Sequence, residues 1–525
     1  MLSMTLYLRP LLMNGGEEMQ EIQPKELPKL IPNGAGIVLG GFVGCGFPDI
    51  LAFEIEKSFL EKGTPRDLAI FFAAGQGDAQ KKGLNHLGHE GLLRFALGSH
   101  FGLAPRLVEL ILSEKIEAYS FPQGVIAHLF RAASAKEPCI LTKIGLGTFV
   151  DPRIACGCLN GSSRKRLVEV FELEGNEYLM YKTKPLQGVK IALLRGTTAD
   201  RLGNISMEKE ALLADAPQVA TMVHNNGGLV IIQVERIAEA GSLHPQMVKI
   251  PGQLVDYIVV CKDQWQTFGE VYNPGYSGEI RVPPSDFPSM PLDAKKVIGK
   301  RAARELKKGM VVNIGIGSVP ESIAAVLAEE GLFQDLILTV ESGIIGGIPS
   351  GGLSFGASLN PWAIIDQPSQ FDFYDGGGLD CACLGFAEGD EQGNVNVSRF
   401  GGRIPGPGGF INISQSAKKV VFCGTFTAGS ELEIKGKLHI LKEGATKKFL
   451  KHLHHITFSG DYALKAGHEV IFVTERAVFQ LTKDGLELIE VARGIDVERD
   501  ILKNMEFIPI VRSPKEMDPS LFRKE

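Results

Sequence analysis

Short apolar runs punctuated by glycine turns recur along this chain. Ile37-Val38-Leu39, Leu68 to Phe72, Val230-Ile231-Ile232-Gln233-Val234, Val311-Val312-Asn313, Leu336 to Val340 and Val420-Val421-Phe422-Cys423 are all short and rich in branched or aromatic residues. Apolar runs of this length without polar alternation predict strands covered on both faces, as in parallel sheets. Several are followed by a glycine turn and then by a stretch opening on proline and an acid, Pro48-Asp49 or Pro320-Glu321. Both residue types are favourable in a first helical turn. A further helix begins near Asp293 and runs towards Leu306. Strands alternating with helices predict an α/β fold with largely parallel sheets.

The pattern occurs twice. Asn33-Gly34, Ile37-Val38-Leu39 and Gly44-Cys45-Gly46-Phe47-Pro48-Asp49 correspond to Lys308-Gly309, Val311-Val312-Asn313 and Gly315-Ile316-Gly317-Ser318-Val319-Pro320-Glu321. Downstream, Asp200-Arg201-Leu202-Gly203-Asn204 corresponds to Asp390-Glu391-Gln392-Gly393-Asn394, and Ala240-Gly241-Ser242 to Ala428-Gly429-Ser430. Matched spacing of several landmarks indicates a duplicated unit. In this register Glu341 falls opposite Ala73, so only the second copy carries the acid. The expected organisation is an extension over 1–24, a first half over 25–271, a proline-rich linker over 272–292 and a second half over 293–525. Two similar open halves place a site in the cleft between them, beyond the carboxyl ends of the strands.

Glu341 ends the buried run Leu336 to Val340 and is followed by Ser342-Gly343-Ile344-Ile345-Gly346-Gly347. Glycines there allow a sharp turn and close approach of a ligand. A carboxylate presented in this way can serve as a nucleophile. Three other segments have the shape of ligand-facing turns: Phe121-Pro122-Gln123-Gly124, Asp375-Gly376-Gly377-Gly378-Leu379-Asp380, and Gly401 to Phe410. The last offers backbone N–H groups that can point at an anion.

Composition narrows the alternatives. The chain has 525 residues, 44% hydrophobic and 22% charged, enough for two domains with proper cores. A net charge of −6 argues against nucleic acid as a partner. No apolar stretch approaches the ~20 residues of a spanning helix, so no membrane partner is expected. Met1 to Gly16 is expected to be a poorly ordered extension rather than a targeting signal, since Arg9-Pro10 interrupts its apolar run. The expected location is the cytoplasm. Cys156-Gly157-Cys158 and Cys381-Ala382-Cys383 lack the spacing and the His partners of a zinc site, so no metal is expected. Gly44-x-Gly46 and Gly315-x-Gly317 each fall a glycine short of the dinucleotide fingerprint. A Gly-x-Ser-x-Gly elbow is missing, and His452, His454 and His455 read as a solvated face.

Taken with these turns, Glu341-Ser342-Gly343-Ile344-Ile345-Gly346-Gly347 resembles the catalytic glutamate motif of the family I CoA-transferases, here with both subunit-like halves in one polypeptide. The similarity extends through Gly98-Ser99-His100, Gln123-Gly124 with His128-Leu129-Phe130-Arg131, and Thr142 to Arg153. In the second half it takes in Phe371 to Asp380, Asn394 to Gly401 and Cys423 to Gly429. It spans about residue 25 to about residue 512 and is strongest towards the short-chain acetate and propionate enzymes. The Cys156-Gly157-Cys158 segment departs from the glycine-rich stretch expected there.

The resemblance implies transfer of CoA between a short-chain acyl-CoA and a free short-chain carboxylic acid, with a covalent glutamyl-CoA thioester on Glu341. It implies no external cofactor, because coenzyme A is a substrate. A homo-oligomer, a tetramer by resemblance, is the expected assembly. An ordinary carboxyl pKa of ~4.3 would leave Glu341 ionised without a general base. Oxyanion donors are expected from the Gln123 amide and from the backbone N–H groups of Gly408 and Gly409. Gly376, Gly377, Gly378 and Gly406 are candidates for binding CoA. Phe355, Trp362 and Phe373 are candidates for an acyl pocket fitting a small acid. Two alternatives stay open: an acyl-CoA hydrolase using the same Glu, and a non-enzymatic ligand-binding protein on this scaffold.

Overall fold

The computed structural model describes residues 20–283 and 290–523. Residues 1–19 of the N-terminal extension foreseen over 1–24 lie outside them, as do Pro284 and Pro288 of the linker, while Gln20 and Glu21 pair into the first sheet and so belong to the first half.

The first half is built on eight strands: β1 (Gln20–Glu21), β2 (Gly36–Leu39), β3 (Leu68–Phe71), β4 (Leu93–Gly98), β5 (Glu117–Ser120), β6 (Val189–Arg195), β7 (Leu229–Val234) and β8 (Tyr257–Val260). Their order across the sheet is β1-β8-β7-β6-β2-β3-β4-β5. Every neighbouring pair is parallel. Two apolar layers cover it, one containing Val38, Phe71 and Phe95, the other Ile37, Ile70 and Leu193. Burial on both faces is why these strands read as continuous apolar runs.

The second half has ten: β9 (Val311–Ile314), β10 (Ile337–Val340), β11 (Ile344–Ile345), β12 (Ala363–Ile364), β13 (Cys381–Gly385), β14 (Lys419–Cys423), β15 (Glu469–Val473), β16 (Ala477–Thr482), β17 (Gly485–Val491) and β18 (Ile510–Glu516). They are ordered β12-β11-β10-β9-β13-β14-β15-β16-β17-β18. The stretch β15-β14-β13-β9-β10 repeats β8-β7-β6-β2-β3 of the first sheet. Register repeats too, since Val38 pairs with Phe71 and Ala192 while Asn313 pairs with Thr339 and Ala382. Two residues beyond Phe71 and Thr339 stand Ala73 and Glu341, the correspondence read from the sequence.

The repeated Asp-x-x-Gly-Asn turns match atom for atom. The Asp200 carboxylate accepts from the Leu202 and Asn204 N–H groups at 3.0 and 2.9 Å, and Asp390 from Gln392 and Asn394 at 3.0 and 2.9 Å. The Asn side chains then accept from Gly252 and from Gly460, both at 2.9 Å. Between these matching parts the copies diverge, just after β3 and β10. The first half continues with parallel β4, whereas the second turns back at once into antiparallel β11.

Six helices matter for the site: α1 (Asp49–Lys62), α2 (Gln123–Ser134), α3 (Ala294–Ala303), α4 (Pro320–Glu329), α5 (Gln367–Phe373) and α6 (Phe410–Ser416). α1 and α4 begin at the Pro-acid pairs, and Gly63 closes α1 in the left-handed conformation at φ 69°. α3 starts after Asp293, whose side chain caps it by accepting from the Lys296 N–H at 2.9 Å.

Part of the proline-rich stretch after residue 271 packs against the second half. Tyr276 is buried, and Val282 exchanges two hydrogen bonds of 2.8 Å with the Asn360 side chain. A separate apolar cluster joins the halves, with Phe42, Val43 and Ala74 from one and Val340, Ile344 and Phe355 from the other. Cys381 and Cys383 occupy the strand positions of Ile191 and Leu193 and pack with Cys423 in the core. Among the described residues no group of three His, Cys, Asp or Glu side chains is placed to hold a metal ion, and no helix is long and apolar enough to cross a membrane.

Candidate active site

Glu341 is presented by a turn that only glycine can make. Gly343, Gly346 and Gly347 have φ of 110°, 78° and 77°. A Cβ on Gly343 would lie 2.1 Å from the Ile365 carbonyl oxygen. The Ser342 hydroxyl donates to the Gly356 carbonyl at 2.7 Å, fixing the turn from its other side. The carboxylate therefore projects from the carboxyl end of β10 into the space between the halves.

That space is a cavity of about 350 Å³ walled by both halves. Phe42, Val43, Gly75, His100 and Gln123 come from the first. Gly315, Phe355, Phe386, Phe400 and Phe410 line it from the second, together with the loop Pro405 to Gly409. Glu341 is the one carboxylate among the lining residues and is 7% exposed. Its burial raises the carboxyl pKa above the ordinary value, opposed by its own backbone N–H and by Asn313. The sequence-based expectation of an unshifted carboxyl is corrected accordingly.

A buried polar layer lies beneath the carboxylate. Asn313 Nδ2 is 3.4 Å from Glu341 Oε2 and equally far from the Tyr374 hydroxyl. Tyr374 donates to the Thr339 hydroxyl at 2.8 Å, which in turn donates to the Val312 carbonyl at 3.0 Å. Asn313 Oδ1 has no partner among the described residues.

The loop carrying Gly406, Gly408 and Gly409 is pinned to the first half. Gly408 N–H donates to the Ser99 carbonyl at 3.1 Å, and Gly408 C=O accepts from the Gln123 N–H at 3.0 Å. Gly406 N–H donates to Ser398 at 3.1 Å. Gly406 and Gly408 thus spend their donors on holding the loop in place, which corrects the expectation that the Gly408 N–H would be free for an oxyanion. Gly409 N–H has no acceptor among the described residues, and a Cβ on Gly409 would sit 3.2 Å from Glu341 Cγ. The Gln123 side chain donates to Gln367 at 3.0 Å with one of its two N–H bonds, leaving the other.

The remaining candidates fall elsewhere. Gly376, Gly377 and Gly378 are outside the cavity walls, in the wide turn Tyr374–Gly378 that ends α5. Gly377 has φ 88°, and a Cβ on Gly378 would strike the Phe373 ring at 2.4 Å. Gly377 and Gly378 therefore answer a backbone need, whereas nothing packed around Gly376 calls for a glycine. Phe355 does line the cavity, but Trp362 and Phe373 are 58% and 43% exposed and do not. The aromatic wall is made instead by Phe42, Phe386, Phe400 and Phe410.

Sequence reasoning also passed over His100 and Asn313. Desolvation pulls the His100 imidazole down to about 4, so it is neutral at physiological pH and can donate a single N–H. Asn313 had a readable signal, a polar side chain inside a buried strand where the first half has Val38.

Comparison with known proteins follows the same lines. Residues 21–261 match the family model for coenzyme A transferase. The caffeate CoA-transferase of Acetobacterium woodii is 46% identical over 514 residues, covering 96% of this chain and 97% of its own. The acetate CoA-transferase YdiF of Escherichia coli K12 is 46% identical over 507 residues, covering 95% and 94%. The crystal structure of the YdiF apoenzyme from E. coli O157:H7 superposes with a TM-score of 0.92 at 43% identity and covers 97% of both chains. A thioester complex of that enzyme with CoA gives 0.90 at 43% identity, covering 96% of both. The chain belongs to the family I CoA-transferases, of the single-chain type.

Proposed function

We propose that this enzyme transfers CoA between a short-chain acyl-CoA and a free short-chain carboxylate through a glutamyl-CoA thioester on Glu341. The observation that carries the proposal is the solitary carboxylate in an aromatic, two-sided cavity. Support comes from the YdiF enzyme, solved as a thioester complex with CoA.

A Glu341 oxygen attacks the thioester carbonyl and expels CoA thiolate, giving an acyl-glutamyl anhydride. The thiolate attacks the glutamyl carbonyl, releases the acid and leaves the thioester on Glu341. An incoming carboxylate attacks that thioester and expels the thiolate again. The thiolate then takes the new acyl group and frees the Glu341 carboxylate. No proton needs to move, so no general base is required. Each addition places negative charge on a carbonyl oxygen. The free Gln123 N–H and the Gly409 N–H are the donors for it, and losing one such donor typically costs ~2.7–4 kcal/mol.

Acyl preference is proposed to be acetate or propionate. The named relatives act on acids of very different size, and a methylene is worth only ~1–3 kcal/mol in a pocket. Exchange rates with acetate, propionate and a cinnamate-type acid, compared as kcat/KM, test this part. The chemistry is tested by intact mass after mixing with propionyl-CoA and no acceptor. A CoA-sized adduct, discharged by acetate and absent from Glu341→Ala, is expected. Folded wild-type protein that shows no adduct with any short acyl-CoA would refute the covalent route.

A further inference from the structure

A second cavity, of about 550 Å³, opens at the other end of the first sheet from Glu341. It is walled by the beginnings of β2, β3, β4 and β6, including Gly36, Ala69 and Val189. The active-site cavity lies past the far ends of β2, β3 and β4, at Phe42, Gly75 and His100. β4 alone, six residues long, separates the two by roughly 20 Å at ~3.3 Å per residue.

The second cavity is lined by five cations, Arg94, Lys165, Arg166, Lys182 and Lys184, and by no carboxylate. Lys165 reaches Glu117 at 2.9 Å and Lys182 pairs with Glu169. Among the described residues Arg94 donates only to the Gly34 carbonyl, at 3.3 Å. Arg166 and Lys184 have no acidic partner among the described residues. In a chain of net charge −6, cations concentrated in one hollow repel one another unless an anion joins them. Phe71, Phe95 and Leu167 form a narrowly exposed apolar floor, with Lys165 Nζ 5.1 Å from the centre of the Phe95 ring.

We propose that this cavity binds a phosphorylated metabolite of nucleotide size, its phosphates held by Arg94, Arg166 and Lys184 and its flat apolar part laid on the floor. Arginine favours phosphate because its planar fork can give two parallel N–H bonds. The volume lies within the range of small-molecule pockets. The inference is independent of the role of Glu341, because nothing in this hollow reaches the catalytic cavity.

The test is calorimetric titration of the full chain, without CoA, with ADP and, separately, with inorganic pyrophosphate, any ADP bound in the substrate cavity being told apart by its indifference to charge reversal in the second cavity. One ADP per chain is expected, bound more tightly than pyrophosphate and weakened by salt. Arg166→Glu with Lys184→Glu should weaken ADP at least tenfold, Arg166→Lys with Lys184→Arg should keep it within about threefold, and acyl transfer should be unchanged in both. No binding at millimolar ADP, or binding untouched by the charge reversal, would overturn the site. Equal affinity for pyrophosphate would overturn the role of the floor. An oligonucleotide that competes at equal site concentration would replace the metabolite with nucleic acid.

Discussion

Asn313 and Thr339 stand where the first half has Val38 and Phe71, so one copy of a duplicated sheet has a polar layer under its strand end and the other an apolar one. That layer is what lets a buried carboxylate ionise. The nucleophile must be charged, and burial lifts its pKa while Asn313 lowers it. The acid limb of kcat/KM should therefore lie above the ordinary carboxyl range. Asn313→Val, which restores the residue of the first half, should move that limb to higher pH, with a loss of activity that is largest at the acid end of the profile and shrinks as pH rises. A full pH profile of both proteins checks this; parallel profiles would remove Asn313 from the account. Stability runs the other way. A carboxyl whose folded pKa is raised favours the fold while protonated, and that contribution is lost as pH rises through the folded value. At pH 8 Glu341 is thus a cost to the fold, so Glu341→Gln should melt no lower than wild type and abolish turnover. The amide oxygen of the variant can still accept from Asn313 Nδ2, which lies 3.4 Å from Glu341 Oε2. Thermal melts at pH 8 and at pH 5 decide it, the advantage of the variant being larger at pH 8.

At the scale of elements, what the sequence made legible were features that local chemistry dictates. Unalternating apolar runs marked the parallel strands, Pro-acid pairs marked the starts of α1 and α4, and Asp200 and Asp390 marked matching turns. Glu341 was legible because a strand end followed by glycines leaves an acid few other uses. Hydrogen-bond bookkeeping was not legible. Nothing in Gly406-Pro407-Gly408-Gly409 says that Gly408 donates to Ser99, 309 positions earlier, while Gly409 keeps its N–H. Nor does Asp375-Gly376-Gly377-Gly378 say whether its glycines face a ligand or only turn the chain. The difference between the loop glycines can be measured. Gly409 has φ −79°, which any residue adopts, so Gly409→Ala should fold normally. Its Cβ presses on Glu341 Cγ at 3.2 Å and on Ile413 at 3.2 Å. Crowding of this order costs ~1–3 kcal/mol, which corresponds to a fall of about ten- to a hundredfold in turnover if it is borne by the nucleophile. Gly408→Ala has φ 54° against it but only ordinary contacts around it, Gln123 Oε1 at 3.8 Å and His100 Cβ at 4.0 Å, so it should lose stability before it loses chemistry.

For the whole molecule, catalysis depends on how firmly one half registers on the other, because Gln123 and His100 belong to one and Glu341 to its counterpart. Two kinds of contact set that register. Arg131 and Asp372 form a two-point ion pair at 2.5 and 3.1 Å, but both side chains are about half exposed, where such pairs contribute only ~0–1 kcal/mol. Gln415 is different: it is buried in α6 and crosses to the first half twice. Its side chain accepts from the Gly145 N–H at 2.6 Å and donates to the Leu146 carbonyl at 2.9 Å. Gln415→Leu has similar bulk but leaves both backbone groups buried and unpaired, at ~1–3 kcal/mol each. Arg131→Ala should therefore change the urea midpoint little, whereas Gln415→Leu should lower stability by about 2–6 kcal/mol. With Gln123 and Gly409 as the proposed oxyanion donors, a loosened register should also lower kcat more than it raises KM. If Gln415→Leu unfolds as late as wild type, the halves are held by the apolar contacts among Phe42, Val340 and Phe355 instead. Trimming Phe355 to Ala would then be the change that uncouples them.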